Sequence, residues 1–317
     1  MQENNKIIRI GLVILNYNGA QDTIDCVNSC IHYLTSKNYK LDIYVVDNAS
    51  SDNSLQQLKN EIPEYIKIIE TGRNIGYAAG NNIGIKKAVE AGADYICILN
   101  NDTIVCSDFL TPCIETINSS KDIGLVGPAI VNFDSDTVQS TGGFINFKSI
   151  KGITRHSNEG LPVKNLKEKY NCDYVEGACI VFQKEILDVV GYIPEAYFLF
   201  YEETEWCYQA LKNGYKNICL GKVYIKHKGS VSIERVNGLS EYLLCRNQIR
   251  FVKRNINNNP TAFCIFIRTC LYTLATVPFR GFHRLQHIRY YLDGWCDSID
   301  ARYPFIYITD EKWNSSR

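Results

Sequence analysis

The sequence predicts an α/β fold: an open, mostly parallel sheet flanked by helices, followed by a helical C-terminal extension. Three observations carry this prediction. Over the first hundred residues, short β-branched runs alternate with segments of helical spacing, the rhythm of right-handed βαβ units. The strand-like runs are short and rich in β-branched residues, the kind that form buried parallel strands. No stretch reaches 18 uninterrupted apolar residues, since the nearest, 261–279, is broken by Arg268 and Pro278, so membrane-spanning helices are not expected.

The elements follow in order. Strands are expected over 8–15, 41–46, 65–70 and 94–99, and helices over 20–35, 51–61 and 77–91. Ser50, Ser51 and Asp52 are cap and first-turn residues for the second helix, and Gly92 ends the third. Further strands are expected over 123–132, 174–183 and 218–226, with a glycine-punctuated hairpin or loop over 139–152 and a helix over 203–213. From about Ser240 the pattern is helical to near Tyr291, with a break at 255–260.

Composition narrows the function classes. The 317 residues are 45% hydrophobic and 21% charged, enough for one large or two modest globular domains. Lys plus Arg and Asp plus Glu are 34 each, a neutral balance that disfavours nucleic acid as a partner. The 13 cysteines include no C-x-x-C pair, and no secretory signal opens the chain, so reduced thiols and a cytoplasmic location are expected. Cys26 and Cys30, one helical turn apart, read as small apolar residues on a buried face rather than metal ligands.

In an open α/β sheet the ligand crevice lies beyond the carboxyl ends of the strands. Here four consecutive strand ends are polar: Asn16 to Gly19, Asp47 to Asp52, Thr71 to Asn74, and Asn100 to Thr103. Turns use these residue types too, but the repetition at one sheet edge suggests one composite polar site. No G-x-G-x-x-G or G-x-x-x-x-G-K-[ST] loop follows the first strand, which removes most of the weight from dinucleotide and P-loop enzymes. A sugar nucleotidyltransferase would also want a glycine-rich first loop bearing Arg and Lys for a triphosphate, and this chain has none after its first strand. The charge of a nucleotide diphosphate then falls to side chains or to a divalent metal, Mg2+ or Mn2+, with Asp102 as the natural ligand.

Glu202, Glu203 and Glu205 fall within four residues behind an aromatic run, 197–201. Like charges and desolvation both raise a carboxylate pKa towards the range of a general base. His227, just beyond a strand, is a further candidate ligand.

With these residues in view, the chain resembles the inverting, nucleotide-sugar-binding family 2 glycosyltransferases of GT-A fold, in their bacterial rhamnosyltransferase-like branch. The matching segments are VILNYNG (13–19), VVDNASSDNS (45–54), NIGYAAGNNIGI (74–85), ILNNDT (98–103), VEGACIVFQKE (175–185), FYEETEWCYQALKNGY (200–215) and CRNQIRF (245–251). The resemblance implies a catalytic domain over 1–237, with a nucleotide-binding half to about 104 and an acceptor half over 105–237, and a basic helical segment over 238–317. It implies Asp47 at a pyrimidine base, with Asn18, Arg73, Asn74, Asn82 and Asn101 around the nucleotide and diphosphate of a UDP- or dTDP-sugar. Asp102 corresponds to the last acid of the family's D-x-D metal motif, Asn100 replacing the first, and His227 to a completing metal ligand. Glu203 corresponds to the catalytic base, with Glu202 its neighbouring rival. Glu176, Gly177 and Trp206 are implied to face the acceptor and donor sugar. The implied acceptor is a glycan or a lipid-pyrophosphate-linked glycan in cell-surface polysaccharide synthesis. A non-catalytic binding module of the same fold and a sugar nucleotidyltransferase are the alternatives.

The neutral total divides unevenly. Residues 246–292 hold eight Lys or Arg and no acid, leaving 26 basic against 34 acidic residues elsewhere. Over 280–292, Arg280, Arg284 and His287 fall on one helical face and Phe282, Leu285, Ile288 and Leu292 on another, a pattern suited to an anionic membrane surface or to packing on the catalytic domain. Peripheral attachment to the cytoplasmic face of the inner membrane is the matching expectation.

Overall fold

The computed structural model describes residues 7–34, 38–148, 153–229, 239–256 and 259–280, with isolated positions 288, 292, 295 and 296. Two compact units share the chain. The first comprises 1–145, 155–194 and 203–232; the second comprises 146–154, 195–202 and 233–317.

The first unit opens with β1 (Ile8–Asn16), α1 (Ala20–Leu34), β2 (Tyr39–Asp47), α2 (Ser54–Glu61), β3 (Lys67–Glu70), α3 (Gly76–Glu90) and β4 (Tyr95–Asn100). It continues with β5 (Thr103–Val105), α4 (Leu110–Asn118), β6 (Ile123–Asn132), β7 (Val138–Ser140), β8 (Gly143–Ile145), β9 (Thr154–His156), β10 (Lys169–Cys172), β11 (Cys179–Gln183), α5 (Ile186–Val189), α6 (Glu202–Lys212) and β12 (Lys216–His227). The main sheet runs β10-β12-β6-β11-β4-β1-β2-β3, with β5 paired to β12 and β7 to β6. Strands β4, β1, β2 and β3 are mutually parallel, while β11 runs antiparallel between β4 and β6.

Apolar side chains gather on both faces of the sheet. One face gathers Ile10, Leu12 and Ile14 with Ile24 and Val27 of α1 and Leu110 and Ile114 of α4. The other gathers Val13, Val46 and Ile98 with Ala78 and Ile85 of α3 and Trp206 and Ala210 of α6. Helix α3 lies unusually close to β1. A Cβ on Gly80 would meet Leu15 Cδ1 at 2.5 Å, one on Gly84 would meet Val13 Cγ1 at 2.3 Å, and one on Gly11 would meet Ala88 Cβ at 2.3 Å.

Two local expectations change. The second helix begins at Ser54 rather than 51, because Ser50 and Ser51 are spent elsewhere, bonding Asp47 and Asn18, and Asp52 accepts the Ser54 N–H. The strand expected from 174 begins at Cys179. Residues 176–178 instead form a turn, closed by Cys179 N–H on the Glu176 carbonyl at 3.2 Å.

In the second unit α7 (Leu239–Ile256) packs with α8 (Asn259–Arg280). Pro260 stands at the start of α8, where its missing N–H costs nothing. Phe251 stacks on Phe147 with ring centroids 5.4 Å apart. Arg246 and Arg250, two of the eight cations in the basic stretch, point inward to backbone carbonyls rather than outward. Most of the amphipathic segment expected over 280–292, Arg284 and His287 included, lies outside the described residues. Among the described residues, no helix is long and apolar enough to cross a membrane.

The close approach of α3 to β1 makes a stability prediction. Gly84→Ala drives a methyl group into Val13 and is expected to cost about 1–3 kcal/mol as overpacking. A lower urea midpoint with an unchanged slope is the expected result.

Candidate active site

The site grows from the carboxyl edge of β1 and β2, which end in register with Asn16 opposite Asp47. Asp47 is 1% exposed, and its carboxylate is held by Asn16 Nδ2 at 2.7 Å, Ser50 Oγ at 2.6 Å and the Ser50 N–H at 3.1 Å. These donors meet the need of a buried charge for hydrogen bonds. Asn18 turns through the left-handed region, φ 53, and its Oδ1 accepts the Ser51 N–H at 2.8 Å, tying the two loops together.

Asn48, which carried no role in the sequence reading, organises the next loop. Its Nδ2 donates to Asn74 Oδ1 and the Gly76 carbonyl, and its Oδ1 accepts from the Ile75 N–H and Thr71 Oγ1. Arg73 stands exposed on the loop so fixed. Asn101 Nδ2 donates to Thr23 Oγ1 at 3.0 Å and the Gly19 carbonyl at 3.3 Å, so it braces the loop after β1. Asn82 is buried, its amide exchanging two bonds with the Ile193 backbone at 2.9 and 3.1 Å. That pairing ties α3 to the 193 loop.

Asp102 and His227 meet through strand pairing. Strand β12 runs antiparallel to β5 with His227 opposite Thr103, and the Lys228 N–H bonds the Asp102 carbonyl at 3.0 Å. His227 Nε2 lies 3.2 Å from Asp102 Oδ1, yet this buried nitrogen has no hydrogen-bond partner. Gln139 explains which proton the ring carries. Its Nε2 donates to the His227 carbonyl at 2.9 Å, which turns its Oε1 to His227 Nδ1, also at 2.9 Å. A neutral imidazole then has its proton on Nδ1 and a bare lone pair on Nε2 facing a carboxylate. Two lone-pair donors of that kind, side by side and mutually repulsive, fit a divalent cation. Sequence reasoning missed Gln139 because it sits 88 residues from its partner.

The acidic element reaches the same edge by way of β11, which pairs with β4 so that the Asn100 N–H bonds the Ala178 carbonyl at 2.9 Å. The 176–178 turn therefore flanks Asn100 to Asp102. Tyr77 Oη donates to the Gly177 carbonyl at 2.6 Å, and a Cβ on Gly177 would meet Glu203 Cγ at 3.3 Å. Glu176 Oε1 accepts from Ser140 Oγ at 2.7 Å and lies 3.7 Å from His156 Nδ1. Burial, and then the Glu176 carboxylate, push the Glu203 pKa up to about 7, against opposing help from Thr204 Oγ1 and His156. Glu203 keeps some exposure, whereas Glu202 is 2% exposed, which favours Glu203 as the acid that meets a substrate. Trp206 is withdrawn from the site: it is fully buried, packs edge-on against Phe182 at 4.9 Å, and donates its Nε1–H to the Gly191 carbonyl.

Comparisons with known proteins bear on the family and the fold. A hexosyltransferase of low-salt glycan biosynthesis from Haloferax volcanii, Agl10, is 28% identical over 221 residues, covering 68% of this chain and 65% of the relative. The dTDP-rhamnosyl transferase RfbF of Shigella flexneri is 25% identical over 203 residues, covering 64% and 63%. The chain thus spans a little under two thirds of the length of these curated relatives. Among solved structures, GalNAc-T7 with UDP, GalNAc and Mn2+ superposes with a TM-score of 0.62 at 16% identity, covering 96% of this chain and 59% of that one. The mannosyltransferase PcManGT of Pyrobaculum calidifontis, with GDP-Man and Mn2+, gives 0.59 at 12% identity, covering 94% and 89%. Such likenesses show the fold, which is GT-A. The model of glycosyl transferase family 2 matches residues 12–191, more than half of the chain, and the protein belongs to that family.

Proposed function

We propose that the protein is an inverting glycosyltransferase that moves a sugar from a pyrimidine nucleotide diphosphate donor, dTDP-rhamnose or a UDP-sugar, to a hydroxyl of a glycan or lipid-linked acceptor in cell-surface polysaccharide synthesis. One observation carries the reading: a carboxylate poised near neutral pH, Glu203, at the same sheet edge as the Asp102–His227 pair. Family membership and the two relatives that act as hexosyl and rhamnosyl transferases support it.

In this mechanism Glu203 takes the proton of the acceptor hydroxyl as its oxygen attacks the anomeric carbon from the face opposite the nucleotide, and configuration inverts. Gly177 leaves the room that the base occupies, and Tyr77 fixes the turn that carries Gly177. Asp47 and the loop bonded to Asn18 take the base and ribose of the donor, with Arg73 and Asn74 towards the diphosphate. Asp102 and His227 would hold a divalent ion, Mn2+ or Mg2+, which when bound would supply positive charge for the departing diphosphate. Glu176 faces the sugars beside the base.

The described apolar residues of α8 that lie exposed, Phe263, Ile267, Leu271 and Leu274, support attachment to a membrane surface, for which the basic stretch of 246–292 suggests an anionic one. Lower binding of Leu271→Glu to anionic vesicles is the expected result, and unchanged binding would remove the membrane from the proposal.

Release of free nucleotide from a panel of UDP- and dTDP-sugars with Mn2+ tests the activity, and a non-catalytic module would release none. Glu203→Gln should lower turnover by roughly two to four orders of magnitude while nucleotide binding survives. The base works only when ionised, and its pKa is raised, so turnover should fall about tenfold per pH unit below about 7. Stability should move the other way. Because the fold favours the neutral acid, ionised Glu203 destabilises increasingly as pH rises from its unfolded value towards 7, and fully above it. Glu203→Gln should therefore melt higher than the parent at pH 8, with the gain shrinking towards pH 4. Gln139→Ala should weaken Mn2+ affinity by about 10- to 100-fold in a titration, through loss of the His227 orientation.

A further inference from the structure

The loop before α6 runs against ordinary backbone preference. Phe198, Phe200 and Tyr201 have φ of 70, 68 and 73, the left-handed region, and no glycine occurs between Gly191 and Gly214 to relieve it. A bulky residue pays for that conformation, and three in four residues persist only where neighbours over-determine them.

Those neighbours come from residues 246–251 of α7. Asn247 is fully buried, and its Nδ2 lies 3.1, 2.6 and 2.9 Å from the carbonyl oxygens of Tyr197, Leu199 and Phe200. Its Oδ1 accepts from Arg246 Nε at 2.9 Å, which fixes the amide the right way round. Arg246 also donates to the Tyr197 carbonyl, and Arg250 to the Ala196 carbonyl. Gln248 Nε2 reaches Tyr201 Oη at 3.0 Å, and the Tyr201 ring leans on Phe251 at 5.7 Å. The segment CRNQIRF, whose function the mechanism above leaves unused, thus supplies donors to four successive or near-successive carbonyls. The loop they hold runs directly into α6, and Glu203 follows Tyr201 by two residues.

We propose that Arg246, Asn247 and Arg250 form a positioning clasp that fixes the carbonyls of 196–200, and so sets where α6 starts and where the Glu203 carboxylate stands. These residues touch no substrate; they act through the base. The C-terminal helices are then part of turnover, not an appendage to it. The proposal rests on the reading of Glu203 as the base.

Asn247→Asp tests it with little change of shape, since it replaces an N–H donor by an oxygen facing three carbonyls. The full-length protein is assayed with Mn2+ for nucleotide release from dTDP-rhamnose and from UDP-glucose, with water as acceptor, and for binding of dTDP and UDP by calorimetry. The expected result is a loss of about 10- to 100-fold in kcat, as a misplacement near 1 Å produces, with nucleotide Kd within about twofold of the parent. The acid limb of the pH profile should also move below 7 as the carboxylate leaves its buried place, while the groups that face it, Glu176, His156 and Thr204, are unaltered. Arg250→Lys, which keeps a donor, should recover most of the turnover lost in Arg250→Ala, and this pair carries the same readouts if Asn247→Asp fails to fold. Parental kcat and pH profile in the altered proteins would overturn the clasp, as would nucleotide binding that weakens as much as kcat. Glu203→Gln is run beside them. If it retains turnover, the base reading fails and the clasp with it; if it alone loses turnover, only the clasp fails.

Discussion

The antiparallel entry of β11 between β4 and β6 is the constraint on which the site depends. A parallel sheet by itself delivers only the loops that follow its strands. Because β11 runs the other way beside β4, the turn that precedes it lands at the carboxyl end of β4, pinned by the Asn100 N–H on the Ala178 carbonyl. That turn carries Glu176 and Gly177, and Gly177 in turn leaves space for Glu203. Strand β12 completes the edge by pairing with β5 and setting His227 beside Asp102. Three segments more than 70 residues beyond the first polar strand ends thereby reach one place.

Much of the polarity at this edge is scaffolding. Asp47 and Asn48 are buried at a sheet edge where unpaired polar atoms are costly, and each is surrounded by partners from neighbouring loops. The result is a rigid base under residues that remain exposed, such as Arg73. Gln139 plays a similar part for His227, fixing the proton on Nδ1 so that Nε2 faces Asp102 with its lone pair. A ring free to turn would present either nitrogen.

The alternation of elements in the first hundred residues was legible because apolar periodicity is local: each strand and helix carries its own pattern, and the sheet that follows is the one those patterns allow. The four polar strand ends were legible for the same reason. What escaped was the division of labour among them. Asn18, Asn74, Asn82 and Asn101 look alike in sequence, yet Asn18 ties to Ser51, Asn74 to Asn48 and Gly76, Asn82 to Ile193, and Asn101 to Gly19 and Thr23. Ser50 and Ser51, plausible helix caps by residue type, serve Asp47 and Asn18 instead. The net charge of the C-terminal stretch was countable, but not that Arg246 and Arg250 turn inward.

Residue type and spacing specify the α/β alternation, the polar edge and the chemical types gathered there: carboxylates, amides and one histidine. Which of them are buried and which keep exposure is set by the tertiary fold. It separated Glu203 from buried Glu202, raised the Glu203 pKa, and moved Trp206 into the core. The physical reason is that burial, hydrogen-bond satisfaction and electrostatic coupling are set by neighbours distant in the chain, and residue type and spacing do not encode those neighbours.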